Sequence, residues 1–295
     1  MATITGNGTS EYKFRRSVSQ RRTYRKCGYK WLLHYVQHWR LIKDRGQWIF
    51  GHVMEDVATG VAAGLLTTPD EAAWYFAVRW QALDPATVEW SPRVKYDQLA
   101  EEGLALSKVI VPEIQERILL PTDVEQMIAQ EKIDFTLAPE VPELSVPDLW
   151  CWLRADLFSD YHPTILDFKT SDRSFIELSI EMDEQLTDYQ LAEEAQGRIA
   201  AQLGLCVMIR GKEPRVQWLL TPRRDDDVID RFVSSAVDID AAITAGQFWQ
   251  NDRACFEMGV CEYVPLCYRS QANQIKDKLT RDETATPDVF TGWED

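Results

Sequence analysis

Four cysteines constrain this chain most: Cys27 stands alone near the start, and Cys255, Cys261 and Cys267 follow at six-residue intervals close to the other end. Thiolates split in this way make sense if one metal centre gathers them, because a shared soft-ligand site would tie the N-terminal segment to the C-terminal segment as a clasp. A disulfide framework is the competing use of six cysteines. It is the weaker reading, because 295 residues, 45% of them hydrophobic, can bury a substantial core without covalent staples. The opening residues, MATITGNGTSEYKF, lack the apolar stretch of a secretory leader, and no run approaches the length that crosses a bilayer. The expectation is a cytoplasmic protein with no membrane partner. Cys151 and Cys206 lie in apolar runs and read as ordinary buried thiols.

A net charge of −15 argues at first against a nucleic-acid partner, since Lys and Arg supply most non-specific phosphate affinity. Its distribution reverses that. Residues 1–45 hold eleven Lys and Arg against Glu11 and Asp44, a local +9, so the remaining 250 residues carry −24. Arg21, Arg22, Arg25 and Lys26 are the densest part of this tract, interleaved with Tyr12, Phe14, Tyr24 and Tyr29. Such a segment suits a sugar-phosphate backbone with bases stacked on aromatic faces. It equally suits a solvated basic arm lying on the acidic body, and charge alone favours neither.

Apolar periodicity predicts helices over about 24–42, 49–66, through Trp74 and Trp80, and over 94–106, with Gly46 as an interruption. Between Lys108 and Pro147 five prolines, Pro112 among them, predict loops and edge strands. Residues 149–158 and 164–168 read as a β-hairpin, 183–203 as a helix with Asp183 as N-cap and Gly204 as stop, 206–210 and 216–220 as strands, and 226–245 as a helix. A polar, mobile tail is expected from about Ser270. No internal repeat and no glycine-rich phosphate loop appears.

On the second hairpin strand, Ile165-Leu166-Asp167-Phe168-Lys169 puts Asp167 and Lys169 two apart, on one face of the sheet, and the hairpin can bring Asp156 beside them. Two carboxylates and an ammonium are hard-cation chemistry: they suit Mg²⁺ or Mn²⁺ with waters attached, and with it phosphodiester hydrolysis. A lone D-x-K is common and means little by itself. Gln185 and Tyr189, four apart on a helix, share a face further downstream.

The order RADLF with Asp156, ILDFKTS with Asp167 and Lys169, Gln185 with Tyr189, and then three cysteines resembles the RecB-type nucleases of the PD-(D/E)XK superfamily. The likeness is to phage-encoded and CRISPR-adaptation members with an iron–sulfur cluster, over roughly residues 17–268. It implies an α/β, restriction-endonuclease-like mixed sheet core flanked by helices, with a mainly helical N-terminal region and a C-terminal iron–sulfur segment. Residues 1–147 would be the helical DNA-binding region with the first cluster cysteine, 148–245 the nuclease core, 246–268 the iron–sulfur segment and 269–295 a polar tail. The implied activity is a metal-dependent DNA exonuclease acting on single strands or strand ends. Asp156, Asp167 and the Phe168 carbonyl would hold Mg²⁺ or Mn²⁺, Lys169 would assist the water, and Gln185 and Tyr189 would position the strand.

The resemblance also assigns Cys27, Cys255, Cys261 and Cys267 to a [4Fe–4S] cluster that holds the basic N-terminal segment against the nuclease core. Four thiolates fit Zn²⁺ on spacing alone, although the close C-x₂-C pairs usual in structural zinc sites are missing. The family's histidine, about four residues after a glycine, is replaced here by Glu55, while His52 follows Gly51 directly; Glu55 keeps the spacing and is the preferred third ligand. Arg154 stands where the family has glycine. His34, His38 and His162 read as packing or surface residues. A ring-shaped homo-oligomer and a helicase or recombination partner are both compatible with these residues. The competing class is a non-catalytic DNA-binding or recombination module on the same scaffold.

Overall fold

The computed structural model describes residues 3–4, 12–13, 17–91, 94–119, 149–154, 161–194, 197–257, 260–268 and 275–282. The chain forms two compact units: residues 1–43 with 225–295, and residues 44–224.

The first unit opens with β1 (Thr3–Ile4) paired antiparallel to β2 (Tyr12–Lys13). Helix α1 (Val18–Lys26) begins where Ser17 Oγ accepts the Gln20 N–H at 3.3 Å. The continuous helix expected over 24–42 does not form. Cys27 is extended (φ −163°) and separates α1 from α2 (Gly28–Trp31), which runs into a π-helical turn, Leu32–Val36, and then β3 (Trp39–Leu41). The break has a packing cause: a Cβ on Gly28 would stand 3.2 Å from Trp249 N, and that same backbone accepts the Tyr29 N–H at 3.0 Å. The periodicity survives the break because Tyr24 and Trp31 both pack inward, against Ile239 and Ile243.

The second unit begins with α3 (Gly46–Ala62), α4 (Pro69–Gln81) and α5 (Tyr96–Arg117). Thr68 and Glu71 close α4's start with a reciprocal capping box. Helix α5 overruns its expected end and passes through Pro112. Pro112 and Lys108, whose carbonyl it deprives of a partner, are both exposed, and the buried stripe of Leu106, Ile110 and Ile114 continues. Then follow β4 (Ile118–Leu119), β5 (Leu149–Arg154), β6 (Tyr161–Ser171), α6 (Leu178–Glu181), α7 (Glu184–Glu194), β7 (Gln202–Ile209) and β8 (Arg215–Pro222).

The five strands form a sheet in the order β4-β5-β6-β7-β8, parallel only between β6 and β7. Alternation assigns its faces. Leu166, Phe168, Cys206 and Met208 join Phe50, Val53, Met54 and Val57 of α3 with the apolar residues of α4 and α5. Ile165, Leu203, Leu205, Val207 and Ile209 face Ile180 of α6 and Leu186 of α7. A mixed α/β core flanked by helices is thus observed, as the sequence predicts. The helix expected over 183–203 stops at Glu194, and Gly204 lies inside β7 rather than ending a helix. The strand expected over 206–210 is the second half of β7; burial on both faces leaves its start without the alternation that would set it apart from the preceding helix.

The first unit resumes with α8 (Asp226–Thr244), capped by Asp225 Oδ1, which accepts the Val228 N–H at 2.9 Å. Short helices α9 (Val264–Cys267) and α10 (Ile275–Lys278) and strand β9 (Leu279–Arg281) follow. β9 pairs antiparallel with β3, and Leu279 is buried, so this part of the expected mobile tail is structured; the remainder lies outside the described residues.

Candidate active site

β6 is the longest strand, and its pairing changes along its length. Residues 161–166 pair with β5, and the last of them, Leu166, pairs with Leu149, the first residue of that strand. From Asp167 onward β6 keeps β7 as its neighbour among the described strands. Asp167 and Lys169 sit at this step, both on the α7 face. Asp167 is 7% exposed, and Lys169 Nζ reaches its Oδ2 at 2.5 Å.

Lys169 Nζ also donates to Gln185 Oε1 at 2.9 Å, and Gln185 Nε2 in turn donates to the Tyr189 hydroxyl. Gln185 is set by the start of α7, where Asp183 Oδ1 accepts the Gln185 N–H at 2.8 Å, the capping role expected of Asp183. Tyr189 packs beside the Leu186 cluster, one turn on. The structure therefore links Asp167, Lys169, Gln185 and Tyr189 through one ion pair and two hydrogen bonds.

Glu55 comes from α3. Gly51, one turn earlier, lies so close to β6 that a Cβ there would meet Thr170 Oγ1 at 3.3 Å. The sequence reading used Gly51 only as a marker for counting. Its steric role, letting a helix lie against the strand, could be inferred only from its spacing to Glu55. Desolvation pushes the Glu55 carboxyl above its ordinary range, and the nearby Asp167 charge adds to the push, while His52 and Lys169 oppose it. The Glu55 side chain is nevertheless 52% exposed, so its carboxylate is a hard-oxygen donor open to a divalent cation from solvent. His52 Nδ1 stands 4.0 Å from Glu55 Oε2 with its side chain 81% exposed. Asp156 lies outside the described residues. Phe168 is buried on the opposite face from Asp167. Among the described residues, no three His, Cys, Asp or Glu side chains converge closely enough to hold a single metal ion.

The basic tract corrects one expectation. Arg21 is 1% exposed, with its guanidinium 5.1 Å over the Phe232 ring, and so is removed from any contact with a phosphate. Its i, i+3 relation to Val18 and Tyr24, both buried, is the signal that could have marked it as inward-facing. Arg22 is exposed, Arg25 donates to Ser235 Oγ at 2.9 Å, and Lys26 pairs with Glu257 at 2.9 Å.

All four candidate cluster cysteines belong to the first unit and are free thiols. Cys27 terminates α1, and its Sγ accepts the Lys30 N–H at 3.4 Å. Asn251 fastens the opposite segment to it by donating to the Lys26 carbonyl at 2.8 Å. Cys255 ends a 3₁₀ turn (Asp252–Cys255), and its carbonyl accepts the Cys261 N–H at 2.8 Å. Burial raises the Cys267 thiol to about 12, with Cys261, Cys27 and Cys255 contributing in that order. The four sulfurs thus feel one another electrostatically.

The residues 15–268 match a family model described as the PD-(D/E)XK nuclease superfamily. No curated protein matches the chain.

Proposed function

Because the chain belongs to the PD-(D/E)XK nuclease superfamily and is a nuclease of that kind, we propose that it is a DNA exonuclease that hydrolyses phosphodiester bonds at single strands or strand ends with Mg²⁺ or Mn²⁺. The observation that carries the reading is the buried Asp167 carboxylate paired with the Lys169 ammonium, which Gln185 tethers, with the Glu55 carboxyl of α3 near enough to feel the Asp167 charge. Glu55 and Asp167 hold the cation, with Asp156 and the Phe168 carbonyl completing the set. A divalent ion bound there supplies Lewis acidity toward the phosphate and acidifies a water.

The chain's own groups do the rest. Lys169 Nζ holds the attacking water and balances the charge that grows on the phosphate oxygens as the water oxygen bonds to phosphorus. The bond from phosphorus to the leaving sugar oxygen breaks, and that oxygen takes up a proton. Gln185 keeps Lys169 aimed, and Tyr189 with Gln185 contacts the strand near the scissile phosphate. Arg22, Arg25 and Lys26 add phosphate affinity in the first unit.

Cys27, Cys255, Cys261 and Cys267 form the second part of the proposal: a [4Fe–4S] cluster of the RecB-type, phage-related pattern, acting as a clasp within the first unit. Four free thiols, with Cys255, Cys261 and Cys267 pushed up by burial and by neighbouring cysteines, are the donor set such a cluster needs.

The deciding experiment digests end-labelled and end-blocked single- and double-stranded DNA with and without Mn²⁺. Metal-dependent shortening from a free end, suppressed by blocking, is the expected result. A mobility shift of intact DNA under all conditions would replace the exonuclease with a binding module.

A further inference from the structure

Glu55 is the last member of a stripe along α3. Trp48, His52 and Glu55 stand four and three residues apart, so they occupy successive turns of one helix face. Trp48 is 48% exposed, a large apolar ring left in solvent when the rest of the α3 aromatic content, Phe50, is buried. The Arg45 guanidinium lies 5.1 Å over its ring. The first turn of α3 that carries both is held in place: Gly46 N–H donates to the Glu89 carbonyl at 3.1 Å, and the Trp90 ring fills the space a Cβ on Gly46 would need.

We propose that Trp48, with Arg45 over its ring, is a stacking platform for one unpaired base of the DNA strand leading from the scissile phosphate, and so selects single strands or frayed ends. The proposal rests on the nuclease reading above. Seven residues of helix separate Trp48 from Glu55, about 10 Å, which is roughly three nucleotides at the rise of a stacked strand. An aromatic face accepts any base, whereas a base inside a duplex has both faces covered by its neighbours, so the platform engages only unpaired nucleotides. Arg45, whose Nε also stands 3.9 Å from Glu89 Oε2, would place its guanidinium beside the following phosphate. The three groups then divide the work along one face: stacking at Trp48, an open imidazole at His52, and cation binding at Glu55.

The test is fluorescence anisotropy with single-stranded oligonucleotides of about ten nucleotides, in Ca²⁺ without Mg²⁺ or Mn²⁺. One abasic site is moved through the sequence. In the unaltered protein, one abasic position is expected to weaken binding by roughly 5- to 100-fold, and Trp48→Ala to weaken binding of the intact strand by a similar factor. In Trp48→Ala the abasic position should no longer matter, and Trp48→Phe should restore most of the dependence. Trp74→Ala, which removes an equally exposed tryptophan from α4, should bind as the unaltered protein does. The proposal is overturned if Trp48→Ala keeps the abasic profile, if Trp74→Ala reproduces its effect, or if neither protein binds. Because binding is read without turnover, a protein that shows the coupling and yet never shortens DNA in Mn²⁺ would retain the platform and lose the nuclease reading.

Discussion

Lys169 Nζ lies 2.5 Å from Asp167 Oδ2, two residues away on the same face of β6. The contact makes the lysine an internal counter-charge to a carboxylate that is 7% exposed, and it separates two functions that a simple loss of activity would confuse. Asp167→Asn should abolish both Mn²⁺ binding and cleavage. Lys169→Ala should lower kcat by roughly 100-fold or more, as expected for loss of one stabiliser of developing charge, while Mn²⁺ still binds. The buried carboxylate left without its ammonium should cost about 1–3 kcal/mol of stability, and Mn²⁺ should restore much of it. Calorimetric titration with Mn²⁺ and thermal melts check both. Equal loss of metal affinity in the two variants would reduce Lys169 to a structural role.

Gly51 sets how closely α3 approaches β6, since even a Cβ there would meet Thr170 Oγ1 at 3.3 Å. Gly51→Val should push the helix outward, cost about 1–3 kcal/mol by overpacking, and lower Mn²⁺ affinity at least tenfold by parting Glu55 from Asp167. Thr170→Ala in the same chain should recover part of the loss. Unchanged metal affinity in Gly51→Val would show that the approach of helix to strand does not set the site.

His34 gives the first unit an acid limit. Tyr263 donates its hydroxyl to the Trp39 carbonyl at 3.1 Å and lies 2.6 Å from His34 Nδ1, which therefore carries the proton of a neutral ring. Burial, aided by Arg40 and Lys30, lowers the His34 pKa to about 4. Between the ordinary histidine value and about 4 the unfolded chain binds the extra proton and the folded one does not, so stability present above that window is lost as pH falls through it. Because the ring is only partly buried and solvent screens it, the expected loss is about 1–2 kcal/mol. His34→Gln should flatten the stability profile between pH 6.5 and 4, as read by denaturant unfolding. An unchanged slope would contradict the assignment.

Cys27 offers the cleanest test of the proposed clasp, because it alone among the four comes from the N-terminal segment. Anaerobically purified protein should be brown and carry about four irons per chain. Cys27→Ser should lose most of that iron and melt at lower temperature. Stoichiometric zinc with no visible absorbance would replace the cluster by a different metal.

The sequence exposed the chemistry more fully than the backbone that carries it. Asp167 and Lys169 were legible from period-two spacing, Gln185 and Tyr189 from period four, and Asp183 from capping chemistry, because each depends on neighbours within a few residues. The break at Cys27 was not legible. It depends on Trp249, more than two hundred residues away, pressing on Gly28. Only the start of β7 was hidden, for a different reason: burial on both faces leaves it no alternation, so the helix expected from 183 runs on to 203, while the strand expected over 206–210 matches the rest. Arg21 misled because a basic tract reads as solvated, whereas an aromatic ring on α8 draws this one guanidinium inward.

The proposed sharing of one cation by Glu55 and Asp167 is tested most directly by titrating Mn²⁺ into the metal-free protein and its Glu55→Gln, His52→Gln and Asp167→Asn variants. Binding should persist in His52→Gln and fall at least tenfold in the other two. Full affinity in Glu55→Gln together with loss in His52→Gln would contradict the account.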